Sequence, residues 1–161
     1  MEMLVALFVI IVGLMGGMSA ILKTLTLSSF SSSRLTAAYL AQEGIEIVRN
    51  VRDTNWLEAR TVVNDWDEGL TNCSNGCIVD YDHSYGPDLI DPNLFAFADQ
   101  FLNIDGNGFY SYSPGNPTKF QRKIIIQKTG PDRLDVVVQV IWSEKGKPYN
   151  FSAQENLYNW R

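Results

Sequence analysis

The strongest pattern in the chain is its first, and it has no alternation. Glu2 and Lys23 bracket a run, Met3 to Leu22, without a single charge, and Leu, Val, Ile or Phe fills eleven of its twenty positions. Twenty helical residues rise ~1.5 Å each and span about 30 Å, the hydrocarbon thickness of a bilayer. Those eleven side chains favour insertion by about 0.3–0.6 kcal/mol each, roughly 3–7 kcal/mol together. The core helix of a globular domain carries a polar stripe, which this run lacks, and a signal peptide opens on basic residues, whereas this run opens on Glu2. The pattern predicts a membrane-competent helix over 1–23.

Two features inside that helix bear on its use. Glu2 puts a carboxylate at the edge of the apolar stretch, where ionisation is costly without a partner; it either sits among headgroups or meets another charge. Gly13, Gly16 and Gly17 fall within about one turn, and each costs about 1 kcal/mol of helix propensity relative to Ala. They are candidates for local melting or for close helix–helix packing.

Beyond Lys23 a Ser/Thr-rich stretch, 24–33, separates the apolar run from a second periodic segment. Leu40, Gly44, Ile47 and Val51, with Ala37, Ala41, Ile45 and Val48 beside them, draw an apolar stripe at helical spacing. Gln42, Glu43, Glu46, Arg49 and Arg52 occupy the other face, and Glu46 is placed to pair with Arg49 or Asn50. No proline precedes Pro87, so the favoured reading is one helix continuing over 24–60 and ending near Asn55–Asp65. The serines also permit a flexible linker.

The pattern changes period at the far end. Phe120, Arg122, Ile124 and Ile126 alternate with Gln121, Lys123, Ile125 and Gln127; Leu134, Val136, Val138, Val140 and Trp142 share one face of a second run; Tyr149, Phe151 and Ala153 share one face of a third. Turn residues Thr129–Asp132 and Glu144–Lys147 separate them, which predicts an antiparallel meander over 119–161 with one apolar face. Phe109, Tyr110 and Tyr112 suggest an added edge strand, and the closing Tyr158 and Trp160 suggest a docked terminus. An apolar sheet face needs a cover, and the stripe from Leu40 to Val51 is available. The expected fold is α+β: a long N-terminal α-helix, membrane-competent in its first half, packed by its second half on an antiparallel β-sheet. The globular part is then 61–161, with loops over 61–118.

Composition sharpens this division. The chain has 161 residues and a net charge of −5. Residues 1–60 balance five basic against five acidic side chains, and 61–118 hold no Lys or Arg at all. Asp65, Asp67, Glu68, Asp80, Asp82, Asp88, Asp91, Asp99 and Asp105 make that segment acidic, which argues against direct nucleic acid binding. Cys73 and Cys77 flank an Asn-Gly turn and read as a small-ring disulfide of an exported domain; such a ring contributes roughly 2 kcal/mol in the loop-entropy picture. One His and two Cys are too few for a zinc cluster. Calcium is the one ion the spacing suggests: Asp80, Asp82, Asp88 and Asp91 recur much as in an EF-hand, although Gly86 stands one place late and Asp91 replaces the final Glu. Asp105-Gly106-Asn107-Gly108 is a second candidate that also reads as a tight turn. No cofactor is otherwise indicated, and no nucleophile elbow, Walker loop or dinucleotide glycine pattern occurs. The expectation is a protein that is not an enzyme.

The sequence Met1-Glu2-Met3-Leu4-Val5-Ala6-Leu7-Phe8-Val9-Ile10 resembles the N-terminal segment of type IV pilins and pseudopilins, and Ala41-Gln42-Glu43-Gly44-Ile45-Glu46 resembles the second half of their helix. The resemblance covers about the first third of the chain. It implies a structural subunit that waits in the membrane as a single-span protein, is processed by a prepilin peptidase, and is built by inner-membrane assembly machinery into a homo-oligomeric helical filament on the bacterial surface. Glu2 would then pair with the amino terminus of a neighbour, Met1 being the residue before it here. Family members carry a basic leader and several residues ahead of the glutamate, where this sequence has Met1 alone. The alternatives are a single-span anchored exported binding domain and a minor pseudopilin of a secretion or DNA-uptake system.

Overall fold

The computed structural model describes residues 2–58, 65–79, 81 and 94–160. The chain divides into two units, Met1–Thr36 and Ala37–Arg161, and one helix, α1 (Glu2–Glu58), runs through both. In the first unit the Ser/Thr stretch is helical and not a flexible linker. Thr24, Thr26, Ser33 and Thr36 donate their hydroxyls to the carbonyls of Ala20, Leu22, Ser29 and Ser32, at 2.9–3.2 Å. A hydroxyl bonded four residues back is satisfied by the helix and no longer competes with it. Gly13, Gly16 and Gly17 are helical as well, and a Cβ added at any of them would meet no atom within 4 Å.

The second unit is an α+β domain in which α1 packs on an antiparallel sheet. The strands are β1 (Cys77–Ile78), β2 (Phe95–Ala96), β3 (Asn103–Ile104), β4 (Tyr110–Ser111), β5 (Asn116–Pro117), β6 (Phe120–Lys128), β7 (Arg133–Glu144) and β8 (Lys147–Tyr158). The main sheet runs β2-β1-β6-β7-β8. The long meander pairs Ile124 with Val138 and Ala153, and Phe120 with Trp142 and Tyr149, so the alternation read from the sequence stacks one apolar row beside the next. Ile124, Ile126, Leu134, Val136, Val138 and Val140 are fully buried.

The helix supplies their cover. Ala37, Leu40, Ala41, Gly44, Val48, Val51 and Asn55 form the buried seam, with Ile47 only half-buried at its flank. At Gly44 the helix comes so close to the sheet that a Cβ would lie 2.9 Å from Val138 Cγ1 and 3.3 Å from Arg122 Cδ. The far end of α1 is pinned by side chains: the Asn55 amide donates to the carbonyls of Trp66 (3.2 Å) and Glu68 (3.0 Å). Trp56 Nε1 donates to Asn159 Oδ1 at 3.3 Å, and Trp160 stands edge-on to the Trp56 ring at 4.4 Å. The chain end is thus tied to α1 through Asn159 and Trp160, although Tyr158 (50%) and Trp160 (66%) stay exposed.

The strand expected at 109–112 is in a different place. Tyr110–Ser111 pairs with β3, and β5 pairs with the other side of β3, giving a separate sheet of order β4-β3-β5. β1 pairs with β6 at Cys77 and Ile124, while the later segment touches β6 through the Leu102 amide, which donates to the Phe120 carbonyl at 2.8 Å, and the Tyr112 hydroxyl, which donates to the Arg122 carbonyl at 3.0 Å.

Gly44→Ala should destabilise the domain although Ala is the better helix former. The propensity gain is about 1 kcal/mol, against about 1–3 kcal/mol for forcing a methyl into a stiff, buried valine. Gly16→Ala, facing open space, should show no such loss. Denaturant titration of the full chain in detergent, followed by tryptophan fluorescence, separates the two.

Candidate functional site

Glu2 occupies the first turn of α1, where a carboxylate is favourably placed against the helix dipole. The side chains that follow, Met3 to Leu22, are exposed throughout, with Leu4 at 70% and Phe8 at 66%. By length and composition this helix can cross a membrane, and none of its most apolar window is buried within the chain. Met1 lies outside the described residues.

The acidic segment is partly consumed by the fold. Asp67 is 4% exposed, and its carboxylate pairs with Lys128 Nζ at 2.6 Å, a contact that also raises the lysine pKa. Asp65 is exposed, and Asp99 sits in the left-handed region at φ 52°. Asp105 organises a turn: its carboxylate accepts the Tyr81 hydroxyl, the Asn107 amide (2.8 Å) and the Phe109 amide (3.0 Å). The Tyr81 hydroxyl, then the Phe109 amide, hold the Asp105 pKa below its ordinary value. Of the calcium candidates, Asp80, Asp82, Asp88 and Asp91 lie outside the described residues. Among the described residues no three His, Cys, Asp or Glu side chains converge as a metal site would require.

The sulfurs of Cys73 and Cys77 stand at disulfide-bonding distance, 2.12 Å, and both residues are buried. The ring joins the 3-10 turn Thr71–Cys73 to β1 and so fixes the strand that covers the β6 edge.

Arg122 is the residue whose role the strand alternation concealed. It occupies an inward position between Phe120 and Ile124, where its neighbours predict a hydrophobe, and it is 0% exposed. Its guanidinium donates to the Leu40 carbonyl on α1 at 3.2 Å and to the Val79 carbonyl at 2.6 Å. Glu43 lies 3.3 Å away as counter-charge. The only signal in the sequence was a charge at an apolar position of a strand, with Glu43 on the facing helix. Compared with known proteins, the chain matches no family model, no curated protein and no solved structure.

Two outcomes follow. Arg122→Ala leaves two carbonyls and the Glu43 carboxylate without their donor and should cost about 3–5 kcal/mol of unfolding free energy. Arg122→Met, similar in volume and uncharged, should recover much of that loss; the denaturant midpoints of the two variants decide it. For Asp105, a depressed folded pKa means that its contribution is present above the unfolded carboxylate value and is lost as pH falls through the lower folded one. An NMR titration should find the Asp105 carboxyl protonating below the ordinary aspartate range, and Tyr81→Phe should move it back up.

Proposed function

We propose that this chain is a pilin-like structural subunit of an extracellular type IV filament, not an enzyme. The observation that carries the proposal is the exposed apolar surface from Met3 to Leu22, headed by Glu2, on a helix continuous with the one docked on the sheet. A surface of that size is unfavourable in water and has two natural environments: lipid before assembly, and the apolar helices of other copies afterwards. Without a hydrophobic drive between helices in lipid, association rests on packing and on polar pairs.

Glu2 supplies the polar pair. In an apolar bundle its carboxylate would meet the amino terminus of a neighbouring subunit, and only the stagger that joins the two leaves neither charge alone, an omission costing several kcal/mol. The low helix propensity of Gly13, Gly16 and Gly17 lets that turn yield while the helices slide into register. The subunit is a single-pass membrane protein until the assembly machinery extracts it, after processing by a prepilin peptidase. The docked domain then forms the outer surface of the filament on the bacterial cell.

Glu2→Ala should abolish filaments recovered by shearing from cells carrying the assembly machinery, with circular dichroism of the purified chain unchanged. Filament yield equal to wild type in that variant would refute the pairing. A wild-type chain that stays with the membrane fraction and never enters sheared material would show an anchored binding domain instead.

A further inference from the structure

The Cys73–Cys77 ring stands two residues from an acceptor of the buried guanidinium. β1 is only Cys77–Ile78. It meets β6 through the pair Cys77–Ile124 and β2 through Cys77–Ala96 and Ile78–Phe95, and so short a strand has little ladder of its own to hold it. The ring adds a restraint. Cys73 closes the 3-10 turn Thr71–Cys73, and its carbonyl accepts the Gly76 amide at 3.0 Å. Gly76 (φ 104°) lies so close to the Lys123 side chain of β6 that a Cβ there would collide with it. Turn, ring and β1 are thus seated together on β6.

Val79 follows directly. It is buried, and its carbonyl accepts from Arg122 Nη2 at 2.6 Å. The same guanidinium donates from Nη1 to the Leu40 carbonyl of α1 at 3.2 Å and faces Glu43 at 3.3 Å. Arg122 Nε finds no hydrogen-bond partner among the described residues. With Nε already unmatched, displacing Val79 would take the shorter of these two hydrogen bonds from a fully buried charge, where each missing partner is costly.

We propose that the Cys73–Cys77 ring is a redox latch on the docking of α1. Closing it seats β1 and the Val79 carbonyl, that carbonyl completes the Arg122 site, and Arg122 holds the helix through Leu40 and Glu43. Closure joins the two sulfurs, releases two protons and passes two electrons to an oxidant of the disulfide class, which leaves as two thiols. An oxidising compartment thereby tightens the helix on the sheet, and a reducing one loosens it. Linkage is reciprocal, so whatever the ring contributes to the arginine site, the arginine contributes to the ring. A ring that only restrained the unfolded chain, as in the loop-entropy picture, would close in the folded domain with no regard to Arg122. The latch concerns the docked domain alone and is independent of filament assembly.

The test uses the full chain in detergent micelles, equilibrated in mixtures of reduced and oxidised dithiothreitol, with the closed fraction read by thiol alkylation and mass spectrometry. Arg122→Met should shift the equilibrium about tenfold towards the dithiol. Arg49→Met, which removes the ion pair from α1 to Glu155 but touches neither the ring nor Val79, should leave it in place. Loss of stability alone does not move this equilibrium while the chain stays folded, which circular dichroism checks. In the wild-type chain, nuclear magnetic resonance should find the Arg122 Nη protons exchanging with water about tenfold faster after reduction. That measurement stands should Arg122→Met not fold. An equilibrium equal in wild type and Arg122→Met, or shifted as far by Arg49→Met, would overturn the proposal. So would Arg122 exchange unchanged by reduction.

Discussion

The domain is organised around one buried guanidinium. Arg122 sits in the apolar layer between sheet and helix, and a charge there is tolerable only where its hydrogen bonds and counter-charge are supplied on site. The Leu40 carbonyl, the Val79 carbonyl and Glu43 supply them, and they come from the helix and from the segment after β1. Sliding α1 by one turn along the sheet would take Leu40 and Glu43 away together. Hydrophobic contacts alone are non-directional, but Gly44 is not: one turn along, a larger side chain would meet Val138 where even a Cβ is crowded. The arginine and the glycine together set the register of helix on sheet.

The other polar links repeat this logic along the helix. Gly44, one turn beyond Leu40, permits the close approach that brings the carbonyl within reach. Arg49 then meets Glu155 on β8, and Asn55 and Trp56 tie the end of α1 to the turn at Trp66–Glu68 and to Asn159. These contacts hold the docked part of α1 on the sheet. In the first unit the described side chains from Met3 to Leu22 are exposed, headed by Glu2, and the hydroxyls of Thr24, Thr26, Ser33 and Thr36 turn back on their own helix.

The acidic segment shows how composition and surface differ. Its charge repels anions at long range, yet Asp67 and Asp105 spend their carboxylates on Lys128 and on a turn. Those two side chains are structural, and neither joins a cluster able to hold an ion among the described residues.

How much was legible in the residues depended on whether the governing physics was local. The apolar run, the helical stripe, the three alternating strands and the Cys73–Cys77 ring are expressed over spans shorter than one element, because period and turn chemistry are properties of neighbouring residues. By itself the sequence therefore determined the α+β class, the face each long strand buries and the presence of an exposed apolar helix. The serine stretch is helical, as the favoured reading had it, through hydroxyl bonds four residues back that are themselves local. Two things awaited the tertiary structure. Strand pairing across loops put β4, β3 and β5 in a sheet of their own. Arg122 is a surface residue by type and a core residue only once α1 lies over it, since the groups that satisfy it are 43 and 82 positions away along the chain. Partners so distant are chosen by packing, and no local pattern encodes them.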